Sequence, residues 1–225
     1  DIPNMEEGSN EKTDNNSNEQ IHEELDNEQV NYEKKIRTYF ARILFYAFLT
    51  NSEVISLSQI IESVKNNDIN KRILKNLGLD LKVISLMNEH MNQLKLYQLD
   101  DAIRNLNKLS KDRELTEIER ANVALNKFKK LSQSEVITPI SICKDMVDLI
   151  DKKKLKKLCK KGTRILDIAS KAGEFSIASY EKLLKIGVDK NKIKSIIYSI
   201  PTSNVAYEFT RKIYEILDLD VDHIA

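Results

Sequence analysis

From about residue 30 to residue 135, apolar side chains return every three or four positions, the spacing of helices that bury one face. Ile36, Phe40, Ile43 and Ala47 step along one such face. A second helix is predicted from Ser56 or Ser58 through Ile60, Ile61 and Val64. A third follows Gly78, with Leu81, Ile84, Met91 and Leu94 on one side. The clearest start lies in "LTEIERANVALNKFKKL". There Thr116 and Glu119 have the Thr-x-x-Glu spacing of a capping box, and Ile118, Ala121, Leu125 and Phe128 continue at helical spacing. These stripes read as core packing.

After residue 135 the pattern changes. "ITPISICKDMVDLI" predicts a helix with Thr138 as N-cap, Pro139 at the first helical position, and Ile142, Met146, Leu149 and Ile150 as its buried stripe. A lysine-dense connector, "DKKKLKKLCKKG", ends at Gly162. "TRILDIA" reads as a buried strand and "GEFSIASYEKLLKIG" as a helix closed by Gly187. "KSIIYSI" is a second strand, broken by Pro201. "SNVAYEFTRKIYEIL" is a helix with Val205, Phe209, Ile213 and Ile216 inward. Such alternation predicts a parallel sheet. The expected fold class is therefore α/β: an all-helical domain over 31–134, then the first part of an α/β domain over 135–225. A third strand would begin at "DVDHIA", and the first residue is Asp, so a fragment of a longer parent is expected.

Composition adds one division. The formal charge of +1 splits into −9 over residues 1–30, with ten acids and one lysine, and +10 over the remainder. Segment 1–30 has almost no aliphatic side chains and is expected to be disordered or loosely attached. The most apolar run, "YFARILFYAFL", is interrupted by Arg42 and is shorter than the ~20 residues a membrane span needs. A buried helix and a cytoplasmic location without membrane partners are expected. Cys143, Cys159, His22, His90 and His223 show no metal-ligand spacing, so no metal site is predicted.

Candidate chemistry centres on "ILDIASKAGEF", where a strand ends at Asp167 and a small-residue turn containing Gly173 leads into a helix. A turn of this kind lets backbone approach a ligand at the carboxyl end of a strand. An aspartate there also serves simply as a helix cap or loop anchor. Lys152 to Lys161 hold seven lysines in ten residues. With no aromatics interleaved, this run reads first as a solvated helix end and linker, and second as a segment that tracks phosphates.

The order "VITP", helix, basic connector, "ILDIASKAGEF", "IIYSIPTSNVA" resembles the opening of the methyltransferase domain in adenine-N6 DNA methyltransferases of restriction-modification systems. Type I modification subunits and fused type II enzymes share that order. The resemblance implies the first part of a Rossmann-like sheet that binds S-adenosylmethionine. It assigns cofactor binding to Thr138, Pro139, Asp167, Ala169, Gly173 and Phe175. The family loop reads Asp-Pro-Ala-x-Gly-x-Gly-x-Phe. Here Asp167, Ala169, Gly173 and Phe175 are kept, while Ile168 and Lys171 replace the proline and the first glycine. At the next strand Ser199 aligns with a glycine, and Pro201 aligns with the acid that accepts from the ribose hydroxyls. The Asn/Asp-Pro-Pro-Tyr/Phe segment that holds the target adenine is absent, the prolines being Pro3, Pro139 and Pro201. The resemblance thus places no catalytic residue in this chain. It implies DNA, and specificity or restriction subunits, as partners of the parent. The alternative is a methyltransferase-like module without catalysis that serves DNA binding or subunit assembly. A nucleotide-binding dehydrogenase fits less well, because its glycine pattern and distal acid are both wanting.

Overall fold

The computed structural model describes residues 31, 34–131 and 137–225, so the acidic segment 1–30 and the side chain of Phe128 lie outside the described residues. The chain divides into two compact units, 1–40 and 41–225. In the first, residues 34–40 are helical and Ile36 is exposed, not part of a buried stripe. All the remaining elements belong to the second unit.

Residues 41–49 are helical (α1), and Ile43, Phe45, Tyr46, Ala47, Phe48 and Leu49 are all buried. A helix apolar on every side belongs inside a core. Four helices with side-chain N-caps come next in the chain. They are α2 (Leu57–Lys65) capped by Ser56, α3 (Asp68–Asn76) by Asn67, α4 (Leu81–His90) by Asp80, and α5 (Gln93–Ser110) by Asn92. The single stripe expected after Gly78 is thus two helices. Asn92 starts a new one, Ile84 is buried, and Leu94 is exposed. α6 (Glu117–Leu131) opens on the expected capping box: Glu119 N donates to Thr116 Oγ1 at 3.3 Å and Thr116 N to Glu119 Oε2 at 2.8 Å. The carboxylate that accepts there is held below its ordinary range.

Then come α7 (Ile140–Asp148), α8 (Lys152–Lys160), β1 (Ile165–Ser170), α9 (Glu174–Lys185), α10 (Lys190–Lys194), β2 (Ile197–Pro201) and α11 (Asn204–Ile216). The strands pair in parallel, Ile165 opposite Ile197 and Asp167 opposite Ser199. The register shifts at Ala169, so that Ser170 lies opposite Pro201. Ile224 makes a parallel bridge to Ser199 on the far edge of β2. The described residues are therefore mostly helical with a short two-stranded parallel sheet, an α/β arrangement preceded by helices. None of the described helices is long and apolar enough to cross a membrane.

Four local expectations are corrected. Pro139, not Thr138, is the N-cap of α7, and it makes no side-chain cap bond. The buried stripe of α7 is Cys143 and Val147, which pack with Ala178, Ile140 and Phe175. Ile142, Met146, Leu149 and Ile150 face outward, Leu149 at 86% exposure. Both sides of this helix are apolar in sequence, so periodicity could not choose between them, and packing on α9 did. The lysine-rich connector is itself a helix, α8, capped by Asp151 and anchored through buried Leu155 and Cys159. β1 is not a uniformly buried strand. Its inward positions are Asp167 and Ser170, while Leu166 and Ile168 are exposed. α9 and α11 pack against the sheet, and side chains alternate, so residues one position apart face opposite ways.

α11 joins the helices to the sheet. Phe209 stacks on Phe48 and meets Phe45 edge-on at 5.0 Å. Glu208, 2% exposed, accepts from Arg72 Nε at 2.9 Å, from Arg72 Nη2 at 3.2 Å and from Asn76 Nδ2 at 2.6 Å.

Candidate cofactor loop and adjoining cavity

The loop 170–173 leaves β1 and enters α9 through two residues with left-handed backbone near its ends, Ala169 (φ 64°) and Gly173 (φ 78°). Lys171, which stands where the resemblance expects a glycine, is not among the left-handed residues, so the backbone makes no demand for glycine there. Gly173 is required for two reasons. Its φ is strained for any other residue, and a Cβ would lie 3.2 Å from Ile213 Cγ2. The glycine therefore lets α9 approach α11, independently of any ligand.

Two amides of the turn just before α9 are satisfied within the loop. Gly173 N donates to Ser170 Oγ at 3.1 Å, and Ala172 N donates to Glu174 Oε2 at 3.0 Å. Glu174 is buried at 3% exposure. Gly173, the N-cap of α9, makes no side-chain cap bond. The Asp167 and Glu174 carboxylates beside the turn disfavour an anion such as phosphate at this position.

Beneath the loop a run of hydroxyls crosses the sheet. Ser176 Oγ donates to Asp167 Oδ2 at 3.4 Å and bonds Ser199 Oγ at 3.0 Å, and Ser199 bonds the Tyr214 hydroxyl at 2.7 Å. Ser170 meets Thr210 at 3.2 Å. This network ties β1, β2, α9 and α11 together and gives the sheet its polar inner side. Burial, and then the neighbouring Glu174 carboxylate, push Asp167 up to about 6. Burial raises the Tyr214 phenol as well. Cys143 of α7 is pushed up to about 12, first by burial and then by Glu174 and Asp167, which places the start of α7 within reach of their charges.

Asp167 also borders a cavity of about 310 Å³ between β1, α9 and the end of α7, lined by Val147, Ile150, Phe175, Ser176 and Ser179 as well as residues of β1. That is the lower end of the ~300–1,000 Å³ typical of small-molecule sites. A carboxylate set among aliphatic side chains loses hydration in its charged form, and an organic cation restores part of that loss.

Of the six residues assigned from sequence, Asp167 and Phe175 meet at this cavity. Thr138 and Pro139 begin the helix that packs on Phe175. The Thr138 carbonyl accepts the Cys143 thiol at 3.8 Å. Ala169 is exposed and shapes the loop, and Gly173 faces α11. None of these four lines the cavity. Ser176 and Ser179 also line the cavity, and their spacing of three, which puts them on one face of α9, is the sequence signal that points to them. At the carboxyl end of β2, Pro201 lies opposite Ser170 and offers no side-chain acceptor. Ser203 Oγ caps α11 by accepting from Ala206 N. Among the described residues no group of three or more His, Cys, Asp or Glu could hold a metal ion.

Comparison with protein families, with curated proteins and with solved structures returns no match to this chain.

Proposed function

We propose that residues 137–225 are the S-adenosylmethionine-binding part of a Rossmann-like DNA adenine-N6 methyltransferase of the restriction-modification type. The observation that carries this reading is Asp167: a carboxylate 8% exposed, at the approach to a glycine-containing strand-to-helix turn, bordering an otherwise mostly apolar cavity. S-adenosylmethionine brings a sulfonium and an ammonium, the charge type such a carboxylate accepts, and no phosphate to be repelled by the Glu174 carboxylate at the turn. The packing of α7 on Phe175 further supports it, since the resemblance assigns the Thr-Pro helix and the phenylalanine to one pocket. When bound, the cofactor supplies an activated methyl group. Residues of this chain orient it and exclude water. The segment that would hold the target adenine is lacking, so the role proposed here is cofactor binding and not completion of the transfer.

A second reading is favoured by the end of β2. Pro201 lacks an acceptor and the Ser203 hydroxyl is engaged as a cap, so the ribose hydroxyls lose a charged partner. The chain then serves as a methyltransferase-like module for DNA binding or subunit assembly.

Titration calorimetry with S-adenosylmethionine separates the two. Binding should be measurable at pH 7.5, weaken as pH falls through about 6 because Asp167 takes up a proton, and drop at least about tenfold in Asp167→Asn. No heat from the wild-type chain at millimolar cofactor would leave the module reading in its place.

A further inference from the structure

The cofactor reading leaves the densest charge in the chain unused. α8 and its C-cap present Lys153, Lys154, Lys156, Lys157, Lys160 and Lys161, all exposed. Among the described residues none of the six makes an ion pair, whereas Lys144, Lys182, Lys185, Lys190 and Lys194 each pair with a carboxylate. Lys152 is set apart, because it stands near Asp148, which Lys182 already holds. Neighbouring elements add to the row. Lys192 of α10 comes up beside Gly162, and Lys156 reaches beside Gly187. Arg164 follows at the start of β1, its guanidinium 5.0 Å over the Tyr198 ring, which is itself stacked on His223 at 3.8 Å. The helix thus carries like charges at i,i+3 and i,i+4 spacing that nothing among the described residues neutralises.

We infer that the α8 face, continued by Lys192 and Arg164, is a docking surface for the phosphate backbone of duplex DNA. Its spacing fits the ligand. Six charges from Lys153 to Lys161 occupy roughly 12 Å of helix axis at ~1.5 Å per residue, or about 2 Å per charge. Duplex DNA carries one phosphate charge per ~1.7 Å. The alternatives fit less well. A membrane-surface helix needs an apolar face to insert, and here that face, Leu155 and Cys159, is buried in the protein. A specific protein partner uses aromatic or aliphatic anchors, and the exposed side of α8 has only lysines. The surface lies at the amino end of β1, and the loop at its carboxyl end is roughly 17 Å away at the ~3.3 Å rise of a strand. It stands whether or not the loop binds S-adenosylmethionine.

The test is fluorescence anisotropy of a labelled duplex of about 20 base pairs, titrated at several salt concentrations between about 50 and 200 mM. Lys153→Gln/Lys157→Gln/Lys160→Gln/Lys161→Gln should bind on the order of a hundredfold more weakly at low salt. The log–log salt slope should fall by about 3 to 4, near 0.9 for each lost phosphate contact, equally for unrelated sequences. Asp167→Asn should bind DNA as the wild type does, which tells a failure of this surface from a failure of the cofactor reading. Far-ultraviolet circular dichroism checks that the quadruple variant is folded. If it is not, competition on the wild-type chain decides. An unlabelled duplex should displace the probe at far lower charge-equivalent concentration than polyglutamate or phosphatidylserine vesicles. An unchanged salt slope in the variant, or equal displacement by either competitor, overturns the inference.

Discussion

Asp167 shows most directly how a residue's position sets its chemistry. Its folded pKa is about 6 against an ordinary 3.8, because burial and Glu174 disfavour the charge. The folded protein therefore binds this proton more tightly than the unfolded chain. The contribution of Asp167 to stability is most favourable below about pH 4 and declines as pH rises through 6. At pH 8 Asp167→Asn should stabilise the fold by about 1–3 kcal/mol, from ~1.4 kcal/mol per pKa unit less the altered bond to Ser176. The gain should shrink toward pH 4. Calorimetric melting at pH 8 and pH 4.5 checks this, and an equal gain at both would refute it. A variant more stable yet poorer at binding S-adenosylmethionine is the signature of a charge kept for a ligand. That an aspartate lies in this strand ahead of the turn was legible in the sequence, although the strand runs on past it to Ser170. That it is buried beside a second carboxylate was not, because Glu174 lies seven positions on and faces it only through the turn. Lys171 makes the complementary case: it departs from the pattern the resemblance expects, yet the left-handed backbone falls at Ala169 and Gly173 instead.

At the scale of elements, packing decides between faces that the sequence leaves equivalent. Gly173, the N-cap of α9, sits against Ile213 of α11, with φ 78° and Ile213 Cγ2 only 3.2 Å from where a Cβ would stand. Gly173→Ala should cost about 1–3 kcal/mol for the left-handed backbone alone. At ~2–4 °C per kcal/mol for a chain of this size, the melting temperature should fall by several degrees, with or without cofactor. If it does not move, the close approach of α9 and α11 is not a constraint. α7 illustrates the same principle without glycine. Ile142 and Met146 fit a helical stripe as well as Cys143 and Val147 do, and contact with Ala178 and Phe175 selects the second pair. β1 reads in the sequence as a buried strand, and only the fold turns Asp167 and Ser170 inward and leaves Leu166 and Ile168 exposed. The hydroxyls of Ser176, Ser199 and Tyr214 make the inner side hospitable to Asp167, and they come from three other elements.

Across residues 41–225, the helices and the sheet are held as one compact unit by contacts far apart in sequence. Glu208 on α11, almost wholly buried, takes both Arg72 nitrogens and Asn76 from α3. Arg72→Ala would leave that carboxylate with Asn76 alone. It should destabilise the protein by about 3 kcal/mol, the low end for breaking a buried pair, since Arg72 is itself half-buried. Denaturant melts check the value, and Arg72→Ala/Glu208→Gln should recover a good part of it, because no unpaired charge then remains. What the sequence by itself determined is local. The capping box at Thr116, the glycine stop at Gly187 and the strand–turn–helix around Asp167 rest on residues near one another, whose propensities and spacing act within a turn or two, and the parallel pairing follows from the alternation of such local elements. What only the tertiary structure decided is which face of α7 and β1 turns inward, that Gly173 answers to Ile213, that Asp167 borders a cavity, and that the lysines of α8 stand together unpaired. Each depends on partners dozens of residues away, and burial, charge and close approach have no meaning until those partners are in place.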